Sequence, residues 1–328
     1  VASSGPGSGP QRGQRPETRA SSPFAAELPP GSGCVWPRGM AACRLVGRLA
    51  PTRGFCSAPR SVDPQAALVD CGFAWLPRAV SAEAASEVHE ALWAAYRELH
   101  GICCEDPGAW ARGRGQDLRL YGPPPERVLD SAAFQEVGRA VSSSAAAVFG
   151  AGCRLRRKAT VFADCPDVEA EWQVPVGWHT DVQVLPADPW PRFVYAFAFL
   201  DDVAPRGGAT LLLEGSTRRM RAMEAVLPVG GRRLMRDLAS EDPWLADLFG
   251  LSGRPVPCHA ALIAGSATSL GVPLSVVELC GARGDVVLWD PRALHSASSN
   301  VTARPRSVLR FRLEVGYWRQ RQIEPEVR

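Results

Sequence analysis

Alternation of apolar side chains constrains the fold of this 328-residue chain more than any other feature. Phe193, Tyr195, Phe197 and Phe199 alternate with Val194, Ala196 and Ala198, and further on Leu309, Phe311, Leu313, Val315 and Tyr317 alternate with Arg310, Arg312 and Glu314. Side chains on a strand change face at every residue, so each run predicts a strand with one face of large apolar groups. For the four aromatics, an aromatic core layer is the simplest account of three. Between the runs, Val286-Val287-Leu288-Trp289 is an apolar strand ended by a turn at Pro291. Strands dominate from Cys153 onward, after leading helices. This order predicts an α+β, mainly β protein: a double-stranded β-helix, the jelly-roll barrel of cupin type, with N-terminal helices packed on it.

Within the leading part, residues 68 to 76 read as a helix end, a glycine turn at Gly72 and a short strand. Ser81 caps a helix whose Ala85, Val88, Leu92, Ala95, Tyr96 and Leu99 recur at three- and four-residue spacing. His89 and His100 fall on it as solvated or packed residues. A second helix runs from about Asp130 to Phe149 and stops at Gly150. The polar, Gly/Pro-rich stretch from Gly101 to Arg127 is a candidate active-site loop, in which Arg119 is a candidate second anion contact. Residues 217 to 258 read as a helical insertion between strands, where substrate selectivity commonly resides. The expected domain plan is a disordered head over 1–61, a folded domain over 62–320 and a tail over 321–328.

The chemistry gathers around Trp178-His179-Thr180-Asp181. An imidazole and a carboxylate two residues apart share one face of an extended strand, so both can grip one ion. His295, after the apolar strand, is the donor of a third ligand. Two histidines and one carboxylate on one side of a metal form the facial arrangement of non-haem iron(II) oxygenases, with the remaining positions open. Arg306 follows eleven residues after His295, and its guanidinium suits a bidentate carboxylate partner.

Further motifs stand in order with these: Gly72-Phe73, Leu200-Asp201-Asp202-Val203, Gly207-Gly208-Ala209-Thr210, Glu214-Gly215-Ser216-Thr217-Arg218, Gly284-Asp285 and Asn300. As an ordered set over residues 65 to 318 they resemble the phytanoyl-CoA dioxygenase-like family of 2-oxoglutarate/iron(II) oxygenases. The resemblance implies that His179, Asp181 and His295 hold Fe(II), that 2-oxoglutarate chelates it beside O2, and that Arg306 binds the far carboxylate of that co-substrate. It also places Phe197 against the co-substrate. Family members often carry a small hydroxylic residue two positions after the distal histidine; Ala297 stands there, and the neighbouring Ser296 is the candidate for that contact. Thr217 replaces a histidine common in the mid-domain turn. Halogenating relatives lack the carboxylate that Asp181 supplies, so the resemblance implies hydroxylation of a small molecule. The rival classes are a catalytically inactive metal-binding jelly-roll module with a binding or regulatory role and a cupin-type isomerase using another metal.

Charge excludes one class of partner. Residues 1–61 hold eight Arg against Glu17 and Glu27, a net of +6 that leaves −3 for the rest of a chain whose total is +3. The domain therefore has no basic excess with which to neutralise the phosphates of a nucleic acid. From Met40, a candidate start, arginines at 44, 48, 53 and 60 stand among leucine and valine with no acid through Ser61, the composition of a mitochondrial or plastid presequence. The alternative location is cytoplasmic. Ten cysteines without a Cys-x-x-Cys pair read as free thiols. The uncharged run 260–277 is broken by glycine and proline, so no integral membrane segment is expected. A monomer is compatible with the sequence. The ending Glu326-Val327-Arg328 is not a peroxisomal tripeptide, and phytanoyl-CoA itself is not the expected substrate.

Overall fold

Ser81 and Gly101 frame the longest helix, α2 (Ala82–His100). The Ser81 hydroxyl accepts from the Ala84 amide at 3.2 Å, a cap that contributes about 1 kcal/mol. Gly101 closes the other end in the left-handed region, at φ 67°. The face between them buries Ala85, Val88, Leu92, Trp93 and Tyr96. A second long helix, α5 (Ala132–Phe149), starts at a Ser131 cap and buries Phe134, Val137, Val141, Ala145 and Val148. Ahead of both lie α1 (Pro64–Cys71), the Gly72 turn at φ 89° and β1 (Phe73–Leu76), in the order predicted for residues 68–76.

These elements come from a computed structural model that describes residues 63–315 apart from 114–118, 157, 183–190, 224–229 and 257. All belong to one structural unit, Pro51–Arg328. The head over 1–61, with the presequence-like stretch from Met40, lies outside the described residues, as do Tyr317 and the tail over 321–328.

The predicted strands assemble into two antiparallel sheets. The larger has seven strands, in the order β1, β9 (Val286–Trp289), β5 (Phe193–Phe199), β11 (Arg306–Glu314), β4 (Thr160–Asp164) and β2 (Arg119–Gly122), with β3 (Arg154–Leu155) also paired to β11. The smaller runs β10 (His295–Ala297), β6 (Thr210–Glu214), β8 (Val272–Glu278) and β7 (Ser266–Ser269). Period-two alternation assigns each side chain to a layer. Val194, Ala196, Ala198, Leu309, Phe311 and Leu313 face α2 and α5. Phe197, Phe199, Val287, Trp289 and Val308 face the other way and join Phe73 and Leu212 in an inner cluster between the sheets. In the smaller sheet, Leu212 belongs to that inner cluster, while Leu211 and Leu213 join an outer one with Leu234, Leu238, Leu245 and Leu248. Each such large side chain, fully buried, contributes about 1.5–3 kcal/mol. The result is the double-stranded β-helix with helices packed on it. Among the described residues, no helix is long and apolar enough to cross a membrane.

Two of the motifs do structural work. Gly284 stands at φ 87°, and a Cβ there would lie 2.5 Å from the Val80 carbonyl oxygen, so only glycine lets the chain ahead of α2 approach so closely. Asp285, 7% exposed, accepts from the Arg78 amide at 2.8 Å, the Ala282 amide at 3.1 Å and the Trp75 indole at 3.2 Å. It thereby ties the start of β9 to the end of β1.

Helices α6 (Ser216–Arg221), α7 (Gly231–Glu241), α8 (Pro243–Leu248) and α9 (His259–Ile263) stand between β6 and β7. The loop expected from Gly101 to Arg127 is more ordered than its composition suggests, holding α3 (Pro107–Gly113), β2 and α4 (Glu126–Leu129). Pairing supplies what propensity does not: β2 adds to β4 in the register Arg119↔Asp164 and Tyr121↔Phe162. The seven described cysteines are free thiols.

Candidate metal centre

Of the five histidines, His179 and His295 meet across an isolated antiparallel bridge, each backbone amide donating to the other's carbonyl at 2.9 Å. Their ring centroids are 4.3 Å apart. Asp181 is fixed by its own amide, which donates to the Pro291 carbonyl at 2.9 Å. One ligand atom from each of His179, Asp181 and His295 can be chosen so that all lie within 4.8 Å of one another. Asp181 Oδ1 is 3.7 Å from His179 Nε2 and 3.8 Å from His295 Nε2. His89 and His100 lie on α2, and His259 accepts from the Val174 amide through Nδ1.

The donor set fits a metal ion. His179 Nδ1 lies 2.9 Å from the Gly177 carbonyl and His295 Nδ1 2.9 Å from that of Ala293. A carbonyl accepts only, so each Nδ1 carries the proton and each Nε2 presents its lone pair on the side of Asp181. Burial lowers the His295 pKa from 6.5 to about 4; Asp181 opposes that shift, while His179 and Arg310 add to it. His295 is therefore neutral near pH 7, as a ligand must be. The sign of the pH effect follows. Between pH 6.5 and 4 the unfolded chain binds a proton that the folded one resists, so metal-free protein loses stability as pH falls through that window, by at most about 1.4 kcal/mol per unit. Denaturant midpoints measured in chelator at pH 7 and 5 check this; equal values would contradict it.

The turn ahead of His295 is held by a buried ion pair. Arg292 donates to Asp290 through Nε at 2.9 Å and through a terminal nitrogen at 2.6 Å, with the two side chains 4% and 2% exposed. Between them sits Pro291, whose carbonyl fixes Asp181. The Ser216 hydroxyl accepts from the Leu294 amide at 3.0 Å, which explains the Gly-Ser motif. Asp290→Ala would remove the carboxylate that pairs with the buried Arg292 guanidinium, and the expected loss is about 3–5 kcal/mol in a denaturant titration.

Arg306, 4% exposed, donates to the Gly208 carbonyl and, at 3.4 Å, to Thr210 Oγ1. The loop leading to it is shaped by Asn300, whose amide nitrogen donates to the Arg304 carbonyl at 2.8 Å. Aromatic rings connect this guanidinium to the histidines. Trp289 lies edge-on to His295 with centroids 4.6 Å apart, Phe197 is 5.4 Å from Trp289, and the guanidinium carbon of Arg306 is 5.9 Å from the Phe197 centroid. The Trp289 indole N–H is buried with no acceptor among the described residues.

A family model for Phytanoyl-CoA dioxygenase (PhyH) matches residues 274–308, the segment that runs from β8 through His295 to Arg306. Over that segment the chain is similar to the phytanoyl-CoA dioxygenase family. Solved structures similar to it include the α-ketoglutarate-dependent epimerase SnoN from nogalamycin biosynthesis, 18% identical over 76% of this chain and 80% of that one, with a TM-score of 0.44. EvdO2 from Micromonospora carbonacea var. aurantiaca, complexed with 2-oxoglutarate, is 20% identical over 76% and 89%, with a TM-score of 0.42. HygX from Streptomyces hygroscopicus, with nickel and 2-oxoglutarate bound, is 14% identical over 76% and 85%, with a TM-score of 0.45. No curated protein matches the sequence.

The expected site residues divide. His179, Asp181 and His295 come together, and Phe197 lies between Trp289 and Arg306 on the inner face. Ser296 does not share the face of His295. It pairs with Leu211 of the outer cluster, whereas His295 pairs with Leu212 of the inner one, so period two turns its hydroxyl away from the imidazoles. That face belongs to Gly177, where an added Cβ would lie 3.6 Å from Ser296 Oγ. The Arg119 backbone is in register with Asp164, which is itself opposite Arg306, but its side chain lies outside the described residues. Sequence reasoning left out Trp289, Tyr195 and Arg310. Arg310 shares the strand parity of Arg306, and that was the available signal.

Proposed function

We propose that this protein is a non-haem Fe(II)/2-oxoglutarate-dependent dioxygenase that hydroxylates a small-molecule substrate and releases succinate and CO2. The observation that carries the proposal is the convergence of His179, Asp181 and His295, with both imidazole tautomers set by backbone carbonyls. Fe(II) with bound 2-oxoglutarate supplies the oxidising chemistry through reductive activation of O2. The residues of the chain arrange for it. Two imidazoles and one carboxylate would hold the ion from a single side and would leave the opposite side for co-substrate and O2. Arg306 is the partner for the distal carboxylate of 2-oxoglutarate, and its charge persists on burial where a lysine's would not. Phe197 and Trp289 form a dry wall beside that path, which strengthens charge pairing inside it. Asp181 keeps a carboxylate where a halide would otherwise bind, which supports hydroxylation.

The test is reconstitution of the full chain with Fe(II) under anaerobic conditions, followed by 2-oxoglutarate and O2. Succinate and CO2 are expected even without a prime substrate, and a metabolite library should contain compounds that accelerate the release. Mass analysis of the accelerated product should show one added oxygen. Bound iron without succinate would instead indicate a metal-binding module. A product isomeric with its substrate, or poorer by two hydrogens, would retain the co-substrate chemistry and overturn hydroxylation.

A further inference from the structure

Arg310 stands beside the metal ligands and is not accounted for by the roles above. One of its terminal nitrogens is 3.6 Å from Asp181 Oδ2, the carboxylate oxygen other than the one nearest both imidazoles. The other donates to the Tyr121 hydroxyl at 3.1 Å. Three rings surround the guanidinium carbon, Tyr195 at 4.5 Å, Phe162 at 5.0 Å and Tyr121 at 6.0 Å from centroid to carbon. The side chain is 18% exposed, so it is neither a surface arginine nor a sealed one. β11 also carries Arg306 on the same face, about 13 Å further down the strand at the usual rise per residue.

The charges around Arg310 are what make it unusual. Arg312, the next residue on this face, has a counter-ion in Glu314 at 3.0 Å, shared with Arg156, and lies over Phe193. Among the described residues the acidic partner of Arg310 is Asp181 alone, and a dication on the three ligands would draw on that same carboxylate. A cation held by aromatic walls in a partly dry setting then lacks an anion of its own, an arrangement that is costly until an anion arrives. With one hydrogen bond to protein among the described residues, the planar fork retains donors for a bidentate oxyanion.

We infer that Arg310, walled by Tyr195, Phe162 and Tyr121, recognises an oxyanion of the prime substrate, a carboxylate or a phosphate, and thereby fixes which carbon lies over the metal. This inference rests on the oxygenase reading for the metal and for the place of 2-oxoglutarate. Acidic substrates are therefore selected over their neutral counterparts, and the oxidised carbon lies within a few bonds of the acid group.

The test uses full-length protein loaded with nickel(II), redox-inert here, and saturated with 2-oxoglutarate, so that Arg306 is occupied. Hexanoate, hexyl phosphate and the uncharged match hexanamide are titrated calorimetrically. At least one acid is expected to bind about tenfold or more tightly than the amide, the scale of a charge-assisted hydrogen bond, and the tighter of the two identifies the oxyanion. Arg310→Gln should shrink the difference to less than about threefold, whereas Arg310→Lys should retain part of it; unfolding midpoints of both variants establish that they are folded. Equal binding of acids and amide by the unsubstituted protein would overturn the inference. So would full discrimination in Arg310→Gln, or acid binding that weakens as 2-oxoglutarate is raised, since that places the acid at Arg306. If 2-oxoglutarate itself fails to bind the nickel protein, the oxygenase reading fails, while the acid-to-amide ratio and its loss in Arg310→Gln still report on Arg310.

Discussion

His295→Ala is expected to abolish succinate formation and to lower metal affinity by more than 100-fold. Loss of a group that merely orients a ligand already costs about 10–100-fold in metal proteins, and His295 is proposed as a ligand itself. It is also the most buried of the three, so no exposed neighbour can replace it: the side chain is 8% exposed, against 54% for His179 and 22% for Asp181. Metal content after dialysis, together with succinate release, gives the result. A variant that kept stoichiometric iron and full turnover would remove His295 from the centre. His295→Gln, which retains much of the volume, separates loss of the ligand from loss of packing against Trp289.

Arg306→Ala is expected to raise the 2-oxoglutarate requirement by about 30- to 5,000-fold while iron stays bound. The range follows from the roughly 2–5 kcal/mol lost when one partner of a buried, hydrogen-bonded charge pair is truncated. The substitution also removes the donor that reaches the Gly208 carbonyl and Thr210, so some stability should be lost with it. Arg306→Lys should recover charge without the planar fork and fall between the two. Succinate formation at graded 2-oxoglutarate, with iron measured in parallel, decides the matter. An unchanged requirement would mean that the co-substrate is anchored elsewhere.

The parts of the fold that local chemistry determines were legible. Ser81 caps a helix at the residue where its hydroxyl can reach a third-position amide, and strict alternation marked β5 and β11. Short edge elements were not. β2 is four residues in a polar stretch and β3 only two, and both exist because a neighbouring strand offers them a register. The convergence of the three candidate ligands was legible because His179 and Asp181 share strand parity and His295 follows an apolar strand. By the same rule Ser296, adjacent to His295 on a strand, faces the opposite way. Arg310 was assigned to the face opposite Leu309 and Phe311, but parity says nothing about distance. Its approach to Asp181 depends on the placement of residues 179–181 against the inner face of the larger sheet, which is a matter of long-range pairing.

The amide bridge between His179 and His295 joins positions more than a hundred residues apart, with all four helices α6–α9 in the loop between them. An ion clasped at that junction acts as a rivet on a long ring of polypeptide. At a free ion concentration a hundredfold above its dissociation constant, the rivet would add about 2.7 kcal/mol to folding. Cellular iron supply would then govern how long each molecule survives proteolysis as well as how fast it turns over, and starvation for the ion would thin the population before it slowed the survivors.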